Sequence, residues 1–408
     1  MRKYLSSHSW IDFQLSLDEA GFEFWRNLGR VEESIWHISR ASLPLADASR
    51  LYGVYLARSV RATIAIEGST LTEEEVSQIE KGDFPKRASR AYEEQEAKNI
   101  FALYNHIAEQ ILSGHQSAGQ PPQITLETIK KYNGMVRVHI EDQETVSPGG
   151  EFRSHGVRIG RSRGAPHVDL PYLTNRLCEW LYRDLAGLEK LGTVAQGVLR
   201  ATLAHLYIAW IHPFADGNGR TARALELHIL LDSGVPDIAA HLLSNYYHRT
   251  RQRYYEALDR SRHEGALAFL RYALDGFRIM LREQLEELKR QQLPLLWRDL
   301  VYREFTGKNS SLQERRRDLA LTLVHALGQP ISMQEILNHA PPRLALEYME
   351  SPRKLERDLV ALMQLGPKEH VGLPGMEREV SVGIIQRTEA GIQPRLDLLF
   401  AFQPRSRD

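Results

Sequence analysis

His212-Pro213-Phe214-Ala215-Asp216-Gly217-Asn218-Gly219-Arg220-Thr221-Ala222-Arg223 decides how the rest of this 408-residue chain is read. Before it, Leu203 to Ile211 is apolar and reads as a buried helix that delivers His212 to a pocket. After it, Ala224 to Leu231 resumes a helical period, so the polar run is a helix–loop–helix junction with its glycines in the loop. Gly217 and Gly219 let the backbone take positive φ and approach a ligand closely. Their amides can form an anion-binding nest at the positive end of the following helix. Arg220 and Arg223 add guanidinium forks suited to phosphate oxygens. Asp216 is a hard oxygen ligand, placed for a Mg²⁺ bridging two phosphates. His212, with an ordinary pKa of about 6.5, suits a general base. Phe214 is expected to point into the core and anchor the loop. Singly these are ordinary: a core histidine, an Asp-Gly turn, a weak Gly-x-Gly. Converging within a dozen residues, they point to a site that holds phosphates and takes a proton from an attacking hydroxyl.

The run resembles the signature of the Fic family, His-x-Phe-x-(Asp/Glu)-Gly-Asn-Gly-Arg-x-x-Arg, at every fixed position. The resemblance implies a mainly α fold, a helical bundle with a small β-hairpin flap, that moves AMP from ATP to a hydroxyl of a target protein. It implies that His212 deprotonates a Ser, Thr or Tyr hydroxyl and that Asp216 holds Mg²⁺. Phe214 then belongs to the nucleotide site, with Gly217, Asn218 and Gly219 forming the anion hole. Arg220 and Arg223 bind the distal phosphates. Relatives that phosphorylate instead carry lysine in place of the second glycine; Gly219 is intact here.

A second constellation lies upstream. Leu56 to Ile66 reads as a helix on which Ser59, Thr63 and Glu67 share a face. Gly68 is a C-terminal stop, and Thr72 with Glu75 is a capping box for the next helix. Thr-x-x-x-Glu is common on solvated helix faces. Beside the signature, however, Thr63, Glu67 and Gly68 resemble the family's inhibitory motif (Ser/Thr)-x-x-x-Glu-(Gly/Asn). The resemblance implies that Glu67 pairs with Arg223 and blocks the γ-phosphate position, and that the same glutamate can serve removal of AMP from targets.

Pro148 to Arg153 followed by Val157, Arg158, Ile159 and Gly160 reads as a turn and a short strand. Arg161 to Pro166 is the expected turn and Val168-Asp169-Leu170 the return strand. This resembles the family's flap hairpin, whose edge receives the target by strand addition. The turn's two arginines depart from the neutral loop expected there.

Lys plus Arg and Asp plus Glu both number 52, which gives no global pull toward nucleic acid or membrane. Cys178 is the only cysteine, which excludes an internal disulfide and cysteine-rich zinc sites; it reads as a core thiol on an amphipathic helix. No stretch has the length of a membrane span, and the cytoplasm is the expected compartment. Tyr246, Tyr247, Tyr254 and Tyr255 are read as core, with stacking on a base as the alternative.

The expected organisation is a helical region at 1–92 carrying the inhibitory helix, a catalytic core at 93–290, a linker at 291–310 and a winged-helix-like domain at 311–408. In the last, Arg315 to Leu327 reads as a helix, Ser332 with Glu335 caps a second, and Ser351-Pro352 opens a third running to Leu365. Val380, Val382 and Ile384, then Leu396, Leu398 and Phe400, read as a hairpin. Such a domain docks DNA or protein. Arg353, Lys354 and Arg357 stand against Glu356 and Asp358, a nearly balanced footprint. The competing function is a DNA-binding regulator or antitoxin-like module whose site senses nucleotide. A homodimer is compatible with either.

Overall fold

The computed structural model describes residues 2–41, 43–85, 87–116, 124–140, 148–160, 162–185, 187–366, 368–371 and 378–399. They fall into two compact units, Met1–Leu285 and Glu286–Asp408.

The first unit is built around one helical pair. Thr193–Ile211 is apolar on every side and buried almost throughout, as a helix without a polar face must be. It packs along Asn218–Asp232, and Gly197 lets the two close: a Cβ there would collide with the Ser233 side chain. Leu45–Ile66, Ala91–Gln116 and Leu126–Val136 lie against the second helix of the pair and wall the signature loop.

The helix expected from Leu56 begins three turns earlier, directly after Pro44, whose ring favours a helix start. The capping box at Thr72 and Glu75 forms as expected. Leu126 to Val138 reads as a helix in the sequence, and the helix stops at Val136. Ser113 to Pro122 reads as a polar loop, but residues up to Gln116 are helical and the remainder lies outside the described residues.

The hairpin differs from its expected form. Arg158–Ile159 pairs with Ser162–Arg163, with Ile159 opposite Ser162 and Arg158 opposite Arg163. Gly160, at φ 55°, permits the two-residue turn. Val168 and Asp169 are not a return strand: His167–Asp169 is a 3₁₀ turn and Leu170 begins a helix, because Pro166 breaks the strand and Pro171 suits a helix's first turn. Arg161 lies outside the described residues. Cys178 is half-buried, and burial pushes its thiol pKa up to about 12.

In the second unit the expected linker is mostly helix. Ala266–Glu304 runs unbroken through Pro294, and Trp297, Leu300, Val301 and Phe305 belong to the unit's core. Their i, i+3, i+4 spacing provides the buried face. Ser311–Thr322, Met333–His339 and Pro352–Leu362 are the expected three helices; the first is shorter than expected and ends in a 3₁₀ turn at Leu323. A fourth, Pro342–Glu350, stands between the last two. The Ser332 capping box forms, whereas Ser351 makes no side-chain cap. Two hairpins replace the expected one. Lys368–Val371 pairs with Arg378–Ser381, and Ile385–Thr388 with Gly391–Pro394. Ile384 is buried and hydrogen-bonded back to Leu362 and Leu365, which ends the alternation that Val380 began. Leu396–Leu399 is a 3₁₀ turn after Pro394, and Phe400 lies outside the described residues.

Candidate active site

The pre-signature helix ends at His212 itself, which takes a left-handed conformation at φ 51° without being glycine. Such a conformation persists only where surrounding contacts enforce it, and Arg153 is the enforcer. Its buried guanidinium donates from Nε to the His212 carbonyl at 2.8 Å and from its other nitrogens to the carbonyls of His155, Ala165 and Ile211. Among the described residues no carboxylate pairs with it, and burial lowers its pKa to about 10. The backbone N–H of Arg153 also donates to the Pro213 carbonyl at 3.1 Å. Arg153 thus ties the hairpin, the helix end and the signature loop together.

Burial, then the charge of Arg153, pushes the His212 pKa down to about 4, against the pull of Glu67 and Asp216. The ring is therefore neutral near pH 7 and free to accept a proton. A backbone hydrogen bond with Ala209 also pulls its pKa upward.

Phe214 is buried against Phe152, as expected of an anchor. Asn218 ties the loop: its Oδ1 accepts from the Phe214 N–H at 2.9 Å and its Nδ2 donates to the Phe214 carbonyl at 2.8 Å. Gly217, at φ 78°, begins the post-signature helix, and no side chain caps that helix. Asn133 clamps the turn, donating to the Asp216 carbonyl at 3.0 Å and accepting from Gly150 N–H at 2.9 Å.

The charged ring has three arginines and three carboxylates; the buried Arg137 lies 3.8 Å from Asp216. Arg220 pairs with Glu96 and donates from Nη2 to Asp216 Oδ2 at 2.8 Å. Arg223 donates from Nε to Thr63 Oγ1 at 3.1 Å, and from Nη2 to the Thr63 carbonyl at 3.0 Å and to Glu67 Oε1 at 2.6 Å. Burial alone would raise the Glu67 pKa. Arg223 and Arg220 outweigh it and hold the carboxyl below its usual range. A Cβ on Gly219 would collide with Glu67 Oε1, so the carboxylate lies directly on the glycine turn. Arg223 Nη1 and Arg220 Nε are buried without hydrogen-bond partners. Gly68, at φ 115°, terminates the helix that carries Thr63 and Glu67, and Ser59 on the same face contacts His241 Nδ1 at 3.1 Å.

The residues missed in the sequence are Glu96, Asn133 and Arg153. Glu96 carried a signal: it shares the face of Ile100, Leu103 and Ile107, so it is a carboxylate at a core position. Asn133 and Arg153 carried none. Tyr246, Tyr247 and Tyr254 are core residues, Tyr247 donating to Glu226 and Tyr254 meeting His205 Nε2. Tyr255 is exposed and donates to the Ile66 carbonyl at 3.1 Å.

Residues 123–230, which hold the signature loop and most of its walls, match the Fic/DOC family. Those residues form a Fic domain. The chain is 28% identical over 239 residues to Protein adenylyltransferase Fic of Drosophila ananassae, covering 58% of this chain and 44% of that protein. To the protein of that name from Aedes aegypti it is 25% identical over 259 residues, 64% of this chain and 46% of the other. The chain thus spans less than half the length of these curated relatives. Its fold resembles that of a Fic family protein from Desulfovibrio desulfuricans G20, with a TM-score of 0.52 at 19% identity, covering 92% of this chain and 98% of the other. It also resembles Fic-1 from C. elegans, with a TM-score of 0.51 at 21% identity, covering 65% and 73% of the two chains. No described helix is long and apolar enough to cross a membrane.

Proposed function

We propose that this Fic site transfers AMP from MgATP to a Ser, Thr or Tyr hydroxyl of a protein target, and that Glu67 holds it inactive. The observation that carries the reading is the neutral His212 beside a glycine turn on which a carboxylate, Glu67, stands in for an anion. His212 takes the proton of the attacking hydroxyl. The uncapped helix N-terminus, Gly217 and Gly219, and the unpaired donors Arg223 Nη1 and Arg220 Nε suit the nucleotide's phosphates. Among the described residues no cluster of three or more His, Cys, Asp or Glu forms a metal cage. That fits Mg²⁺, which commonly takes one or two carboxylates and completes its shell with water and substrate phosphates. Asp216, one-third exposed, is the carboxylate that would hold it. When bound, the ion neutralises phosphate charge. Glu67 withholds Arg223 from those phosphates, which supports inhibition within the chain.

The test is MgATP labelled at the α-phosphate, with host extract as target source. Glu67→Gly should label protein at least about ten-fold more than wild type, the scale of one charge-assisted contact. Adding His212→Ala should remove the label. Equal labelling by wild type and Glu67→Gly would refute the inhibition, and signal only from γ-labelled ATP would make the site a kinase.

For the second unit we propose a winged-helix-like docking module. One observation favours DNA as its ligand more than the sequence did. Asp358 turns inward to Arg315 and Arg316, and Glu356 pairs with Arg387, so Arg353 and Arg357 stand exposed on the helix Pro352–Leu362. That reading requires DNA affinity that falls steeply with salt.

A further inference from the structure

The hairpin beside His212 holds an arrangement that the transfer chemistry does not use. Arg158 and Arg163 are directly opposite each other across the two strands, so their side chains share one face. Like charges placed this way repel and weaken a hairpin. Both residues are exposed, and neither forms an ion pair among the described residues. Neighbouring carboxylates are committed elsewhere. Asp169 accepts from the Tyr4 N–H at 2.9 Å, and Asp259 pairs with Arg262 at 3.1 Å.

The two arginines border a cleft of about 710 Å³ whose other walls include Ser7, His8, Val157 and His167. His8 adds no charge. Its Nδ1 meets Ser7 Oγ at 2.8 Å and its Nε2 meets the Arg163 carbonyl at 3.0 Å, while burial first and then Arg262 and Arg153 lower its pKa. Arg262 itself reaches Ser162 on the return strand, which adds a third cation at the hairpin. The cleft adjoins the base: Gly164 sits so close to His212 that an added Cβ would be 3.3 Å from the histidine Cβ. The Ala165 N–H donates to the Ile211 carbonyl at 3.2 Å.

We propose that this cleft is a specificity site for an acidic side chain, Asp or Glu, lying within a few residues of the hydroxyl in an extended target segment. The inference rests on the reading of the site as one that modifies a protein hydroxyl. The paired guanidiniums supply a fork for a carboxylate, and the carboxylate relieves their repulsion. A strand laid along the hairpin advances about 3.3 Å per residue, so side chains near the hydroxyl in the target are carried along the hairpin toward the arginine pair.

The experiment is fluorescence anisotropy with short labelled peptides that carry Ser, Thr or Tyr flanked by Asp or Glu, against Asn and Gln counterparts. Wild type should bind the acidic peptides roughly ten-fold more tightly, with the advantage shrinking at high salt. Arg158→Gln together with Arg163→Gln should abolish the advantage. Acidic and neutral peptides binding alike, or a preference that survives the double variant, would overturn the assignment. A phosphoserine peptide binding far more tightly than its Asp counterpart would also overturn it, in favour of a phosphate site. The AMP-transfer reading fails separately. If Glu67→Gly never transfers the α-label while acidic peptides still bind through the two arginines, that reading falls and the cleft stands.

Discussion

Two clusters of arginine and carboxylate lie in this molecule, one at the signature loop and one in the second unit, and they are finished differently. In the second unit, Asp358 is 1% exposed and accepts from Arg315 Nε at 2.8 Å, Arg316 Nε at 2.9 Å and the Tyr348 hydroxyl at 3.1 Å. Glu347 accepts from Arg315 and Lys354. At the signature, Asp216 and Glu67 keep 34% and 33% of their side chains exposed, and Arg223 Nη1 and Arg220 Nε have no partner. A buried donor left unsatisfied costs stability, so its persistence needs a reason. The closed cluster is complete as protein. The open one is complete only when something anionic joins it, and Glu67 is the anion the chain itself supplies.

The sharpest way to break this contrast is to remove the base and leave the open cluster intact. In a Glu67→Gly background, His212→Ala should lower AMP transfer by about 10² to 10⁴-fold, the range of a general base, while ATP binding persists. Loss of nucleotide binding along with transfer would mean that His212 shapes the cluster and is not simply its base. Next in size is a pair of carboxylate deletions. Asp358→Ala strands two arginines and should cost the second unit about 3 kcal/mol in denaturant unfolding. Asp216→Ala takes a carboxylate from the buried Arg220 and Arg137, but Glu96 keeps Arg220 paired, so it should cost less, yet abolish Mg²⁺-dependent transfer. Similar stability losses from the two would erase the distinction between closed and open.

The signature loop was legible because its chemistry is compressed into a dozen adjacent residues that point to one pocket. The Glu67–Arg223 contact was implied by the resemblance of Thr63, Glu67 and Gly68 to the family's inhibitory motif; the spacing by itself says only that Thr63 and Glu67 share a helix face. What was missed joins distant segments. Arg153 acts through backbone carbonyls, which every residue possesses, so no side-chain pattern announces it. Glu96 could have been found, as a carboxylate where the helical period asks for an apolar residue. The second unit's strands were misplaced for another reason. Val380, Val382 and Ile384 alternate as one strand would, but Ile384 is drawn into the core by Leu362 and Leu365, a tertiary pull that overrides local pattern. Residues 291–310 read as a linker, yet the face of Trp297, Leu300 and Val301 carries the helix to Glu304.

Acid separates the two clusters as well. His212 has a folded pKa of about 4 against about 6.5 for a free histidine. Between those values the unfolded chain binds a proton that the native site refuses. The first unit should therefore lose stability as pH falls from 6.5 toward 4, by on the order of 3 kcal/mol, and the loss should level off below. For Asp358 burial raises the pKa, but hydrogen bonds from Arg315 and Arg316 outweigh it and hold the carboxyl below its ordinary 3.8. Its contribution is fully present above 3.8 and is lost only as pH falls through the depressed folded value. Amide exchange at pH 7.5 and pH 5 should thus show protection falling further over residues 193–232 than over residues 311–362, where the pKa of the exposed His325, lowered by burial and by His339, is shifted the same way. His212→Gln should remove most of that fall, because glutamine has no proton to refuse. A fall of equal depth in both units, or one that survives His212→Gln, would place the acid-sensitive group elsewhere.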